Sequence, residues 1–190
     1  MIRPGTIVND IGAHEDFIPT FAAAAGETQL VEKALKGHTL NGKNFKVHLD
    51  GHNLLPFFKG EVTKSPREDF LYWSDDGDLM ALRVREWKVT FMEQHTEVNP
   101  KTPVGVWQGN FTRLRAPNLY NLRADPFERG PDSMLYGNWQ AHRAFLFVPA
   151  QAIVARYIES FKEFPPRAKA ASFTVSDVME KITTVGPGKN

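Results

Sequence analysis

Between residues 70 and 91 the chain runs through three apolar stretches of period two, with no helical pattern between them. Phe70-Leu71-Tyr72-Trp73 is a compact aromatic run. Met80, Leu82 and Val84 line one face of the next stretch, and Trp87, Val89 and Phe91 line the third, with Lys88 and Thr90 expected outward. Successive side chains of a strand point to opposite faces, so each stretch reads as a half-buried strand. Ser74-Asp75-Asp76-Gly77-Asp78 is a strong turn signal after the first. The Arg85-Glu86 link after the second lacks the Gly or Asn that a two-residue hairpin prefers. A fourth run, Leu119-Tyr120-Asn121-Leu122, is stopped by Asp125-Pro126, because proline donates no ladder hydrogen bond and fixes its own φ. Strands in series followed by helices, without βαβ alternation, predict an α+β fold: a small antiparallel sheet of about four strands packed by C-terminal helices.

The helices are set by their own spacing and punctuation. Ile153, Val154, Tyr157, Ile158 and Phe161 recur at helical intervals and predict an amphipathic helix over 149–163, with Pro149 in its first turn and Pro165-Pro166 past its end. Ser172 or Thr174 caps a shorter helix through Val178, Met179 and Ile182, and the tail from Thr183 to Asn190 frays. Upstream, Asp16 reads as an N-cap whose carboxylate accepts from free backbone N–H groups. Pro19 falls in that helix's first turn, and Gly26 ends it as a left-handed residue. Thr28 opens a second helix through Leu35, closed by Gly37. Phe45 and Val47 alternate with Lys46 and His48 as a short strand before the Asp50-Gly51 turn, and residues 53–58 form a short helix or turn. Glu93 to Thr112, with Pro100 and Pro103, reads as a loop. The polar connector from Gly60 to Pro66 divides the chain into residues 1–60 and 61–190.

Composition removes several classes of function. The 23 basic and 22 acidic residues leave a net charge of +1, which gives no long-range reason to expect nucleic acid or an anionic membrane as a partner. No apolar run approaches the roughly 18 residues that a membrane helix needs, and Met1-Ile2-Arg3-Pro4-Gly5 is not the core of a signal peptide. With no cysteine there are no disulfides and no sign of redox compartment, so the localisation stays open. The 14 Phe, 4 Trp and 4 Tyr read as core, with a carbohydrate-stacking face as the alternative.

One group of residues has the look of a metal site. His48, Asp50 and His52 put two imidazoles and a carboxylate within five residues. The Asp50-Gly51 turn reverses the chain between the histidines, however, and no further ligand stands nearby, so surface histidines flanking a turn are the default. His14 precedes the helix start at Asp16. His142 with Arg143 is either a polar helix approach or the lining of a substrate cleft. Arg83, Arg85 and Lys88 alternate along the strands as a solvated face, with a sulfate subsite as the alternative because guanidinium matches tetrahedral oxyanions. No catalytic residue and no metal ligand is assigned to this chain, and its substrate-binding residues are left open.

A series of segments nevertheless resembles one family. Asn118-Leu119-Tyr120-Asn121-Leu122-Arg123-Ala124-Asp125-Pro126-Phe127-Glu128 resembles the LYNLxxDPxE segment near the C-terminus of sulfatases, bacterial arylsulfatases in particular. Asp16 to Gly26, with Arg3-Pro4-Gly5 upstream, is similar to their DxxPTxxxxAG helix after an RxPG strand. Asp50 to Gly60 resembles DGxNLLPxLxG, Pro66-Arg67 with Phe70 to Trp73 resembles PRxxFFYW, and Ala81 to Lys88 resembles AVRxxxWK. The matches follow family order over about residues 3 to 128. Phe147 to Ala152 and Phe161 to Arg167 resemble a C-terminal extension of one bacterial branch. The resemblance implies that residues 1–60 are the last pieces of a larger α/β domain and that 61–190 are a C-terminal subdomain with a helical extension.

The resemblance also implies an activity: hydrolysis of a sulfate ester by a formylglycine beside a divalent metal such as calcium, held by carboxylates. That residue is made from Cys or Ser in a C/S-x-P-x-R motif. This sequence has no Cys, and Ser65-Pro66-Arg67 lacks both spacer residues, so it reads as a turn entering a strand. The expectation is therefore a C-terminal arylsulfatase fragment that begins at an internal methionine and is inactive alone. It would be partnered by a missing N-terminal domain or self-associating through exposed apolar surface. The alternative is a free-standing binding or interaction module. A third reading, a metal hydrolase using His48, Asp50 and His52, requires bound metal.

Overall fold

The structure, a computed structural model, describes residues 2–94 and 109–167. A 3-10 turn at His14–Asp16 leads into helix α1 (Phe17–Ala24), followed by α2 (Leu30–Lys36), a hairpin of β1 (His38–Leu40) and β2 (Lys43–Phe45), and the short α3 (Leu55–Lys59). Then come β3 (Asp69–Trp73), β4 (Leu79–Val84), β5 (Trp87–Gln94) and β6 (Phe111–Asn121). Helices α4 (Tyr136–Ala141) and α5 (Phe147–Ser160) complete the described chain. The fold is α+β, with a four-stranded antiparallel sheet in the order β3-β4-β5-β6 and a separate two-stranded hairpin.

Register explains which face is buried. Leu71 pairs with Leu82, Leu82 with Val89, and Val89 with Leu119, so one apolar row crosses the whole sheet. Leu82 and Leu119 are fully buried in this row, and Ala150 of α5 seats against it. Trp139, Leu146, Phe147, Ile153 and Val154 fill the space above it. The neighbouring row, Phe70, Arg83, Lys88 and Tyr120, belongs to the opposite face.

Strand β6 is an edge, and α4 covers part of it. The Tyr136 hydroxyl accepts from the Leu119 N–H at 2.7 Å and donates to the Leu119 carbonyl at 3.0 Å. Gln140 Nε2 donates to the Pro117 carbonyl at 2.6 Å. Unpaired strand groups otherwise need water or another chain, and Pro117, with no N–H to offer, is tolerated at such an edge.

Several boundaries differ from the sequence-based expectation, each for a local reason. The loop expected over Glu93 to Thr112 is shorter, because β5 runs on to Gln94 and β6 begins at Phe111, with Gln94 facing Phe111 across a register shift between Thr90 and Met92. The strand expected through Phe45 and Val47 is Lys43–Phe45, the second arm of the hairpin, and the Val47 N–H donates to Ala34 O at 3.0 Å. Asn41 and Gly42 both have positive φ, +49° and +74°, the geometry for which an Asn-Gly pair is the strongest short-range hairpin signal. Helix α2 starts at Leu30 rather than Thr28, because the Glu27 carboxylate accepts the Gln29 N–H at 2.8 Å and holds a turn there. Helix α5 spans Phe147–Ser160 rather than 149–163, entered through a 3-10 turn at Ala144–Leu146. Helix α4 was not expected, since six residues are too few to show a period. The helix expected through Val178, Met179 and Ile182 lies outside the described residues. Among the described residues no helix is long and apolar enough to cross a membrane.

Replacing Tyr136 by Phe removes both hydroxyl bonds to Leu119 and leaves that edge dry on one side. The expected cost is about 1–2 kcal/mol, against about 2–5 kcal/mol for Leu119→Ala, which opens a cavity in the core row. Urea unfolding should show both as lower midpoints with an unchanged slope.

Candidate functional site

Arg67 stands just before β3, and its side chain is only 4% exposed. Its Nε donates to Asp16 Oδ2 at 2.8 Å and its Nη2 to Asp16 Oδ1 at 2.7 Å, a bidentate pair with a fully buried carboxylate. Nη2 also reaches Glu15 Oε1 at 2.7 Å and the Asp50 carbonyl at 2.8 Å, and Nη1 donates to the Asp69 carbonyl at 3.1 Å. Asp16 accepts two backbone N–H groups as well, from Ala13 at 2.8 Å and His52 at 2.7 Å. It does not cap α1 as expected. Its own backbone is already helical, and its carboxylate faces inward, toward Arg67 and the His52 N–H as well as the nearby Ala13 N–H. All its hydrogen-bonding capacity is spent on structure.

The segments around this pair are fitted to it. The Thr20 hydroxyl accepts the Leu54 N–H at 2.9 Å and faces the His52 carbonyl. A Cβ on Gly51 would lie 2.1 Å from the Glu15 carbonyl oxygen, so only glycine lets these two backbones approach. Asn53 Oδ1 accepts the Leu55 N–H and turns the chain into α3. Ser65 is buried; its hydroxyl donates to the Ile11 carbonyl at 2.8 Å and accepts the Arg67 N–H at 3.2 Å.

A cleft of about 290 Å³ opens beside Arg67, lined by Glu15, His48, Asp50, His52, Trp73 and Tyr157 among others. Burial and the nearby carboxylates of Asp50 and Asp16 raise the Glu15 pKa above the ordinary value, against the pull of Arg67. Burial works against the Asp16 charge, but the bonds from Arg67, His52 and Ala13 outweigh it and hold that carboxyl below its usual range. Partial burial and the Arg67 charge depress the His52 imidazole below 6.5. Burial, then the Asp50 carboxylate, raises the Tyr157 phenol. Three perturbed groups in one cleft mark a candidate site in general terms. Here burial is the leading cause for Glu15, His52 and Tyr157, and the charges of Arg67, Asp16 and Asp50 modify it.

The residues singled out by the sequence are dispersed. His48 Nδ1 lies 3.0 Å from Asp50 Oδ1, but His52 does not join them, and no three His, Asp or Glu side chains among the described residues are grouped to hold a metal. His14 stacks on Phe17 with ring centroids 6.0 Å apart. His142 is exposed at the end of α4, while the Arg143 guanidinium lies 4.5 Å over the Trp139 ring and donates to the Trp139 carbonyl. Lys88 binds both Glu128 oxygens, at 2.7 and 2.8 Å, beneath the Tyr72 ring. Arg85 pairs with Glu68 at 3.1 Å from an exposed turn where its φ is +52°. Asp125 accepts the Arg129 and Gly130 N–H groups at 2.9 and 2.7 Å and so shapes the turn that delivers Glu128 to Lys88. Arg67 itself gave no sign of its role in sequence, since its partner lies 51 residues away.

The geometry defines an α+β fold in which Asp16, Thr20, Gly51 and Arg67 form a structural joint. The family described as the C-terminal region of aryl-sulfatase matches residues 65–180, and the chain belongs to that family. Among solved structures, the chain is similar to the crystal structure of PsFucS1 sulfatase from Pseudoalteromonas sp., with 27% identity and a TM-score of 0.44 over 62% of this chain. It spans 22% of the length of that protein. No curated protein matches the chain.

Breaking the joint from either side should cost more than any surface pair. Arg67→Gln or Asp16→Asn strands one buried partner and is expected to lower stability by about 3–5 kcal/mol in urea unfolding. A combined Arg67→Met, Asp16→Leu chain should lose less than the two single changes together. Acid should weaken the same joint. The depressed pKa of His52 gives stability that is full above 6.5 and is lost as pH falls through the folded value. Asp16 follows the same sign at lower pH, below its ordinary value of 3.8, and Glu15, being raised, opposes both. Melting temperature should therefore fall from pH 7.5 toward the acid side, and His52→Gln should flatten the part of that fall nearest neutrality.

Proposed function

We propose that this chain is the C-terminal part of an arylsulfatase, a sulfuric ester hydrolase, and that it does not turn over by itself. Membership in the aryl-sulfatase C-terminal family supports the parent activity. The observation that carries the second half is the use to which the polar motif residues are put. Asp16, Thr20, Gly51 and Arg67 build the joint, while Lys88, Asp125 and Glu128 hold the sheet to its following turn.

The groups that sulfatase chemistry calls for do not fit the residues of this chain. There is no Cys, no Ser or Cys stands in an x-P-x-R context, and the described carboxylates and imidazoles do not converge on a common point. Formylglycine would supply the attacking oxygen and the divalent ion would bind the sulfate; the sequence has no residue placed to become the first, and the described residues group no ligands for the second. In this reading another segment supplies nucleophile, metal and most of the pocket, and the present residues form part of its frame. The first 60 residues leave Ile7 (85% exposed), Ile18 (59%) and Phe21 (66%) uncovered. Apolar surface of that kind favours packing against further protein, either such a segment or another copy.

The test is an aryl sulfate assay of the chain alone and of the chain produced with the coding sequence upstream of it, calcium present in both. No turnover alone and turnover with the longer product is the expected result; turnover by the chain alone would overturn the reading. A chain that stays inactive in both and is monodisperse would favour a binding module. Sedimentation of the chain alone should show concentration-dependent association, reduced by the paired changes Ile18→Lys and Phe21→Glu.

A further inference from the structure

On the face of the sheet turned away from α5, the row Tyr72, Ala81, Thr90 and Asn118 runs beside the row that holds Lys88. Ala81 and Thr90 are its short side chains, and a cleft of about 510 Å³ lies over them. That volume is within the range of small-molecule sites. Met80 and Met92 wall the cleft beside the Tyr72 and Trp73 rings. Both methionines adjoin register shifts, one between Tyr72 and Trp73 and the other between Thr90 and Met92. Such shifts re-aim side chains and are over-represented next to functional sites.

Thr90 is the unusual group in this lining. It is only 6% exposed, and its hydroxyl is the one buried side-chain polar atom without a hydrogen-bond partner among the described residues. A hydroxyl buried in that way costs free energy that the fold itself does not recover. A group entering the cleft could supply the missing bond.

The rest of the lining sets the kind of group. Glu93, Glu128 and Asp132 stand there with a single cation, Lys88, among the described residues. Lys88 already gives its ammonium to both Glu128 oxygens, at 2.7 and 2.8 Å, and lies 4.9 Å over the Tyr72 ring. Asn118 Nδ2 and the Tyr120 hydroxyl both donate to Glu93 Oε1, at 2.6 and 3.2 Å. Asp132 meets Arg129 at the rim, at 3.1 Å. These donors are committed, whereas a carboxylate has about four lone-pair sites, so the lining is rich in acceptors. A guest suited to it brings N–H groups and a positive charge. Lys88, held between a carboxylate and a ring, shows that the cleft already seats one ammonium.

We propose that this cleft binds a small aliphatic primary amine as its ammonium ion. The N–H groups meet the Thr90 hydroxyl and the carboxylates of the lining, and the carbon chain lies along Tyr72, Met80 and Met92. The site binds only; no bond is made or broken there. It needs neither nucleophile nor metal, so it stands or falls apart from the aryl-sulfatase reading.

The test compares isopentylamine with its neutral isostere isopentanol and with isopentyltrimethylammonium, which keeps the charge but has no N–H group. Ligand-observed NMR and calorimetry on the full chain at neutral pH give the affinities. The amine should bind with a Kd of about 1 mM or tighter. The alcohol and the trimethylammonium ion should each bind roughly five- to tenfold more weakly. Thr90→Val keeps the shape and removes the hydroxyl. It should weaken the amine by roughly five- to tenfold, leave the trimethylammonium ion unchanged, and keep or raise the urea midpoint. An amine seated instead among Glu15, Asp50 and Asp69 beside the joint would be indifferent to Thr90. Equal binding of the amine and either comparison probe, amine affinity unmoved by Thr90→Val, or no binding to the wild-type chain would each overturn the proposal. The probe comparisons use the wild-type chain, so they decide the matter even if Thr90→Val fails to fold.

Discussion

The bidentate pair between Arg67 and Asp16 ties together parts of the chain that nothing else would hold in register. Asp16 belongs to the first helical layer, Asp50 and His52 to the segment after the hairpin, and Arg67 and Asp69 to the entry of the sheet; one guanidinium and one carboxylate touch them all. Burying two charges is expensive, and such a pair is not a source of stability unless its remaining hydrogen-bonding capacity is met. Here it is met almost entirely by backbone groups. That makes the pair a device for geometry: a hydrophobic contact in its place would tolerate sliding, whereas a fork seated on a carboxylate and two carbonyls does not.

The sheet depends on this anchoring less than the N-terminal segments do. Its apolar row from Leu71 to Leu119, covered by Ala150 and its neighbours on α5, gives residues 69–160 a core of their own. Residues before Gly60 bury few apolar side chains, Pro19, Ala23, Ala34 and Leu54, and keep much of their apolar surface in water. The joint therefore attaches a thin, poorly buried layer to a better-packed one. The segment from Gly60 to Pro66 is bridged on either side by the Arg67–Asp16 pair and by the Ser65 bond to Ile11.

This arrangement also says what family motifs are evidence of. Asp125-Pro126-Phe127-Glu128 is memorable as a word, yet its chemistry is a turn: Asp125 collects two N–H groups, and Glu128, at a φ of +56°, reaches Lys88. Gly51 is there because the Glu15 backbone leaves no room for a Cβ. Such residues can identify a fold because each answers a local geometric demand of that fold.

What the sequence determined by itself was local. Period-two runs with turn residues between them specified the four strands, and helical spacing from Ile153 to Phe161 specified α5, because side-chain alternation and 3.6-residue recurrence are imposed by the backbone. Asn41-Gly42 carries a hairpin signal too, one that the reading of a single strand through Phe45 and Val47 passed over. Tertiary structure alone decided the rest. It drew Asp16 away from capping its helix and toward Arg67, turned Tyr136 into a cover for the β6 edge, extended β6 back to Phe111 against β5, and left His52 apart from His48 and Asp50. Each of these is a pairing across the chain, made by whichever donor and acceptor the packing of apolar rows brings within about 3 Å. No spacing of residues along the sequence encodes that distance.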